Sequence, residues 1–187
     1  MAEVPRYYWD ACMWLALIKK EPGRFDACKY VIERAQRGEV EVWTSTFTMA
    51  EVYKRKCADI WTGLPDADDD AFADYIEQDF VIRVALDVAV GTTARNLLRL
   101  HPAIGKPQDA IHLATALIEN VDELHTFDQR DLLGLSGKIQ RLDGVKLKIC
   151  HPPEPPDPDK GTLFEKISSE ILQPTARRAI DLQSDQQ

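Results

Sequence analysis

Four acidic residues spread along the chain carry the chemistry this sequence offers: Asp10, Glu51, Asp109 and Asp128. Each stands at the edge of a predicted strand or helix. Asp10 closes the run Tyr7-Tyr8-Trp9, and Glu51 lies one turn into a predicted helix after a strand-like stretch at 40–43. Asp109 opens a predicted helix over 110–118, and Asp128 ends a strand-like stretch at 123–127. In an open parallel sheet, strand C-termini and the neighbouring helix starts share one edge, where ligand sites form. Four carboxylates gathered there repel one another unless a cation joins them, and hard divalent cations take oxygen ligands. The set reads as a Mg²⁺ or Mn²⁺ site. Asp10 and Asp109 are its expected direct ligands, and Asp131 is an outer member three residues past Asp128.

Taken singly, each acid has a plainer reading. Asp10 and Asp109 suit helix caps, Asp128 an Asx turn, and Glu51 a solvated helix position. Their joint placement favours the metal. A helix over 47–60 draws its core face through Ala50, Tyr53, Cys57 and Ile60, leaving Glu51 off that face beside Lys54 and Arg55. A carboxylate with two bases on one side suits a metal and an adjacent phosphate. Lys106 and Arg130 are further candidate phosphate contacts, and all four bases also read as solvated charges. The Thr126 hydroxyl either anchors a carboxylate or bound water, or belongs to an ordinary strand threonine. His112 lies three residues after Asp109, but its helix has no second histidine at i±4. A packed or hydrogen-bonded His112 is therefore favoured over a zinc ligand.

The elements that must position these residues alternate. Strand-like stretches at 7–9, 40–44, 80–85, 123–127 and 145–149 are separated by predicted helices over 12–19, 24–37, 71–78, 88–100 and 110–118. The helix over 24–37 has Phe25, Cys28, Val31, Ile32 and Ala35 at helical spacing and Gly38 as its stop. Such alternation implies an α/β fold with a mainly parallel sheet. Trp9 and Trp14 read as core. After Cys150 the composition changes: five prolines in 151–159 make a stiff linker, followed by a predicted amphipathic helix over 163–172 and a polar tail. The expected division is residues 1–150 and 151–187.

At 187 residues, 44% hydrophobic and 29% charged, the chain can bury one proper core. No apolar run approaches the roughly 20 residues that span a bilayer. Met1-Ala2-Glu3-Val4-Pro5 lacks the basic-then-apolar pattern of a secretory signal, so a cytoplasmic protein without membrane association is expected. Cys12, Cys28, Cys57 and Cys150 are scattered, which favours buried free thiols over structural zinc. The net charge is −8, so any phosphate-binding role must come from local bases and the bound cation.

The sequence resembles the PIN-domain family, and within it the VapC-type toxins of toxin–antitoxin pairs. The matching stretches are Tyr7-Tyr8-Trp9-Asp10-Ala11-Cys12, Met49-Ala50-Glu51-Val52, Lys106-Pro107-Gln108-Asp109-Ala110-Ile111-His112-Leu113-Ala114-Thr115-Ala116, and Thr126-Phe127-Asp128. The third is the most diagnostic, because the family favours Asp-Ala at this helix start followed by small and apolar residues. The resemblance covers about residues 5–150. It implies a three-layer α/β/α sandwich and a Mg²⁺- or Mn²⁺-dependent ribonuclease site at Asp10, Glu51, Asp109 and Asp128. Single-stranded or loop RNA is then the expected substrate, and an antitoxin protein and a second copy of the chain the expected partners. A housekeeping RNA-processing nuclease or a non-catalytic RNA- or protein-binding module of the same fold are the alternatives. Two features depart from the family pattern: Cys12 stands where Ser or Asn is common, and the Pro-rich tail is additional.

Overall fold

A computed structural model describes residues 4–57 and 60–157, and only the backbone for 54–57 and 60–62. The chain divides into two units, Met1–Glu154 and Pro155–Gln187, and the first holds every strand of the central sheet. The helix expected over 163–172 lies outside the described residues.

Five strands form that sheet: β1 (Arg6–Trp9), β2 (Glu41–Ser45), β5 (Val81–Val84), β6 (Glu123–His125) and β7 (Lys148–Cys150). Their order is β5-β2-β1-β6-β7, and every pairing is parallel. β1 is central and buried on both faces, so it lacks the polar alternation of a half-exposed strand. Its side chains divide by the period of two: Tyr7 and Trp9 enter one core and Tyr8 the other.

The first core is closed by α1 (Ala11–Ile18), α2 (Phe25–Gln36) and α4 (Asp66–Ile76), through Met13, Trp14, Val31, Ile32, Phe72 and Ile76. Trp9 and Trp14 are both fully buried there, with rings edge to face at 5.0 Å. The second core is closed by α5 (Val88–Leu100) and α6 (Pro107–Ile118), through Val90, Leu97, Leu113 and Leu117 against Leu124 and Ile149. The result is the expected three-layer α/β/α sandwich. Gly38, at φ +71°, ends α2 where a side chain would be strained. Among the described residues, no helix is long and apolar enough to cross a membrane.

Three helices differ by more than a residue from the sequence expectation, and the strands expected at 123–127 and 145–149 are the shorter β6 and the later, shorter β7. The helix expected over 47–60 is only α3 (Phe47–Glu51), followed by an antiparallel hairpin of β3 (Lys54–Cys57) and β4 (Ile60–Gly63). Val52 leaves helical geometry at φ −86°, ψ 64° and buries its side chain in the first core. The strand-forming Ile60-Trp61-Thr62 then supplies a partner for 54–57. Glu51 is thus the last residue of a short helix, and Lys54 and Arg55 are not on its surface; their side chains lie outside the described residues.

The other two helices start early. α4 begins at Asp66, because Asp66, Asp68 and Asp69 favour the positive end of a helix more than a loop. α6 begins at Pro107, whose fixed φ suits the first helical turn, so Asp109 stands inside that turn and caps nothing.

Candidate metal centre

Parallel strands aim their C-termini at one edge, and the central three, β2, β1 and β6, each deliver an acid just beyond that edge. Asp10 follows β1, Glu51 follows β2 on α3, and Asp128 follows β6. The first turn of α6 adds Asp109. All four line one cavity of about 610 Å³, together with Cys12, Lys106 and His112.

Asp10 is 5% exposed and densely bonded. Its Oδ1 accepts from the Met13 N–H at 3.2 Å, which also caps α1, and from the Cys12 thiol at 2.8 Å. Its Oδ2 accepts from the Thr126 hydroxyl at 2.5 Å. Burial pushes its carboxyl above the ordinary range, opposed by His112 and by these bonds. Thr126 Oγ1 in turn accepts the Asp128 N–H at 2.9 Å, so one buried hydroxyl ties two of the acids together. Asp128 Oδ1 accepts the N–H groups of Arg130 at 2.9 Å and Asp131 at 3.0 Å. The sequence readings of Asp10 as a cap and Asp128 as an Asx turn therefore both hold, and both residues still face the cavity.

Asp109 is different. It is 8% exposed, and its Oδ2 is buried with no hydrogen-bond partner among the described residues. Carboxylate oxygens of Asp109, Asp128 and Asp131 lie within 4.8 Å of one another. Burial first, then the charges of Asp128 and Asp131, push the Asp109 carboxyl up to about 6 against the pull of Lys106. An unpartnered carboxylate oxygen within a knot of acids costs the fold stability unless something cationic is bound. A hard divalent cation fits this donor set, which is all oxygen. Asp131, the outer member in the sequence reading, has a carboxylate oxygen in this group and is paired with Lys106.

Glu51 is held by His112, whose Nε2 lies 2.7 Å from Glu51 Oε2, while Nδ1 lies 2.8 Å from the Tyr8 hydroxyl. An ionised carboxylate only accepts, so Nε2 carries a proton and donates to Glu51. His112 is 3% exposed and hydrogen-bonded, as favoured above, and it is a tether for an acid of the site. Its spacing of three from Asp109 on one helix was the available signal.

Cys12 is the second residue whose importance composition concealed. Besides donating to Asp10 it accepts the Phe127 N–H at 3.1 Å, with Thr126 Oγ1 at 3.4 Å. Burial, reinforced by the Asp10 charge, raises the thiol well above its ordinary range and keeps it a donor. Replacing it by Ala removes a bond to Asp10, whereas Ser restores one. Cys12→Ala is expected to weaken Mg²⁺ binding about tenfold and Cys12→Ser to leave it near wild type, read from the Mg²⁺ dependence of thermal unfolding. An unchanged Mg²⁺ response in Cys12→Ala would remove this supporting role.

The candidate bases divide. Lys106, the residue before α6, lines the acidic cavity. It also lines a second cavity of about 600 Å³, where Arg130 lies with Arg24, Phe127, Asp128 and Asp131. Arg24 had no sequence signal at all: it precedes α2 and reaches the site only through the fold.

An α/β/α sandwich that collects carboxylates at the C-terminal edge of a parallel sheet defines the class of protein. The family model of the PIN domain matches residues 7–134, and the chain belongs to that family. Among solved structures, it is similar to Mycobacterium tuberculosis VapC20, a toxin that cleaves the sarcin–ricin loop. That match has 19% identity and a TM-score of 0.50, over 65% of this chain and 89% of the other. It is also similar to VapBC2 from Rickettsia felis, bound to a DNA fragment from its promoter. Here the identity is 16% and the TM-score 0.51, over 77% of this chain and 98% of the other. At these identities the likeness is one of fold. No curated protein matches the chain.

Proposed function

We propose that this protein is a Mg²⁺- or Mn²⁺-dependent endoribonuclease that hydrolyses single-stranded or loop RNA, and that it is the toxin of an antitoxin-controlled pair. The observation that carries the reading is the buried, unpartnered Oδ2 of Asp109 beside Asp128 and Asp131. The toxin role rests on the fold shared with VapC20 and VapBC2. Cleavage of a loop by the first and the antitoxin complex of the second suggest where to look for substrate and partner.

Asp109, Asp128 and Asp10 would hold the cation, with Glu51 and Asp131 at its margin. When bound, it would activate a water and absorb the charge of the leaving oxygen. Thr126 and Cys12 fix the rotamer of Asp10, so the carboxylate meets the ion without first reorganising. His112 does the same for Glu51. Lys106, beside Asp131, supplies a positive charge that a phosphodiester approaching four carboxylates needs. Flexible RNA can enter such a cleft because its phosphate backbone bends freely.

The test is cleavage of labelled single-stranded RNA with Mg²⁺, with Mn²⁺, and with EDTA. Cleavage that stops in EDTA and returns with metal is the expected result. No cleavage by folded, metal-bound protein over a panel of single-stranded and loop RNAs would overturn the nuclease reading in favour of a non-catalytic module. Expression without growth arrest, alongside active enzyme in vitro, would favour a housekeeping nuclease over a toxin.

A further inference from the structure

The acidic cavity and its neighbour have opposite character. Asp10, Glu51, Asp109 and Asp128 face a single lysine in the first, whereas Arg24, Lys106 and Arg130 outnumber Asp128 and Asp131 in the second. Within that second group Lys106 is already paired with Asp131, and Asp128 is occupied by two backbone N–H groups. Arg24 and Arg130 keep capacity to spare, and of the two Arg24 is the one held in place. Its guanidinium carbon lies 4.9 Å from the centroid of the Phe127 ring, and its Nη1 donates to Glu21 at 3.1 Å. Nε and Nη2 have no partner among the described residues, and the side chain is 46% exposed. A guanidinium held by a ring and one carboxylate, with its other donors unpaired and its side chain half exposed, has lost much of its freedom before any ligand arrives. That arrangement suits a phosphate, because Arg binds phosphate through paired N–H groups in one plane.

We propose that Arg24, supported on Phe127 and assisted by Arg130, holds the RNA phosphate next to the one being cut. The inference deepens the ribonuclease reading and rests on it. It explains how a chain of net charge −8 takes hold of a polyanion: three bases from three distant segments are gathered on the side of the metal centre where Asp128 ends the acidic cavity. Phe127 is buried, with Arg24 over its ring and the His151 ring edge to face with it at 5.5 Å, so it supports the arginine and does not stack on a base. Arg24 is a binding residue in this scheme, and the bond-breaking steps stay with the acids.

The experiment measures two things. The first is binding of a short labelled single-stranded RNA, with the Asp109→Asn change present so that the strand stays intact, between about 50 and 200 mM salt. The second is steady-state cleavage in the otherwise unaltered protein with Mg²⁺. Arg24→Ala is expected to weaken binding about tenfold and to lower the slope of log affinity against log salt by about 0.7, the value for one phosphate contact on a single strand. KM should rise by a similar factor while kcat stays within about twofold. Arg24→Lys should keep the slope, and Arg24→Gln guards against a packing artefact of the alanine. Arg99→Ala, an exposed arginine on α5, should change neither quantity.

An equal slope change in Arg99→Ala and Arg24→Ala would overturn the subsite in favour of a diffuse charge effect. Unchanged binding and KM in Arg24→Ala, in an active nuclease, would overturn it while leaving the nuclease reading intact. Salt-dependent binding that needs Arg24, in a protein that cleaves nothing, would overturn the nuclease reading and with it the place of this phosphate beside a cut one, leaving Arg24 as a contact of an RNA-binding module.

Discussion

Asp109→Asn is expected to abolish RNA cleavage and, at the same time, to make the metal-free protein more stable. The loss of rate should be about a thousandfold, since a ligand that helps a cation stabilise the transition state contributes several kcal/mol. The gain in stability follows from the raised carboxyl, about 6 against an ordinary 3.8. An acid held above its unfolded value binds its proton more tightly in the folded state. Its ionisation therefore penalises the fold above pH 6, and the penalty fades as pH falls from about 6 towards 3.8. Asn keeps the shape and cannot ionise. In EDTA at pH 7 the variant should gain about 1–2 kcal/mol, allowing for solvent access to the site, or about 2–8 °C in Tm, and the gain should vanish near pH 4.

Metal reverses the comparison. Mg²⁺ should raise the Tm of the wild type and leave the variant almost unmoved. Because proton and cation compete for the same oxygen, Mg²⁺ affinity should fall by about tenfold per pH unit below pH 6. Two calorimetric scans, with and without Mg²⁺, decide the matter without any assay of activity. A variant that is less stable than wild type in EDTA would show that Asp109 serves the fold and not a cation.

His112→Ala should have the largest combined effect on stability and function. The substitution opens a cavity beneath the site, leaves the fully buried Tyr8 hydroxyl without its His112 partner and frees Glu51 from its tether. Cavity and lost bonds together cost about 3 kcal/mol, or about 6–12 °C in Tm. Glu51 ends a helix of only five residues and enters a turn, so no regular structure holds it once His112 is gone. The Mg²⁺ concentration for half-maximal cleavage should rise about 10–100-fold, the usual consequence of removing a group that orients an acid of a metal site. His112→Gln keeps an N–H for Glu51 and should recover part of the metal affinity while remaining less stable. If the metal requirement of His112→Ala matches the wild type, Glu51 does not depend on His112, and the loss of stability is the whole effect.

Much of this molecule was legible in one dimension because the relevant physics is local. Alternation of strands and helices implied the parallel sheet, and the sheet implied that Asp10, Glu51 and Asp128, each just past a strand, would meet at one edge. The reading stumbled where local signals tied. The 47–60 stretch has apolar residues at helical spacing, yet Val52 is pulled into the core and 54–63 pairs with itself, a choice made by contacts beyond the segment. The start of α6 was missed by one turn, because Pro107 reads both as a breaker and as a first helical residue. The cost of that miss was Asp109 taken as a candidate cap.

Residue types and their order along the chain sufficed for the fold class and for the meeting of Asp10, Glu51, Asp109 and Asp128 at one sheet edge, since strand order alone brings them there. Only the tertiary structure decided how each acid is held: Asp10 bonded on both oxygens, Asp109 with one oxygen unpartnered among the described residues, Asp131 beside Asp109 and Asp128, and Glu51 tethered through His112. It also decided which bases matter, placing Arg24 on Phe127 from far along the chain. Hydrogen bonds and desolvation depend on neighbours within a few ångströms, and such neighbours are set by packing between elements, which sequence spacing does not encode.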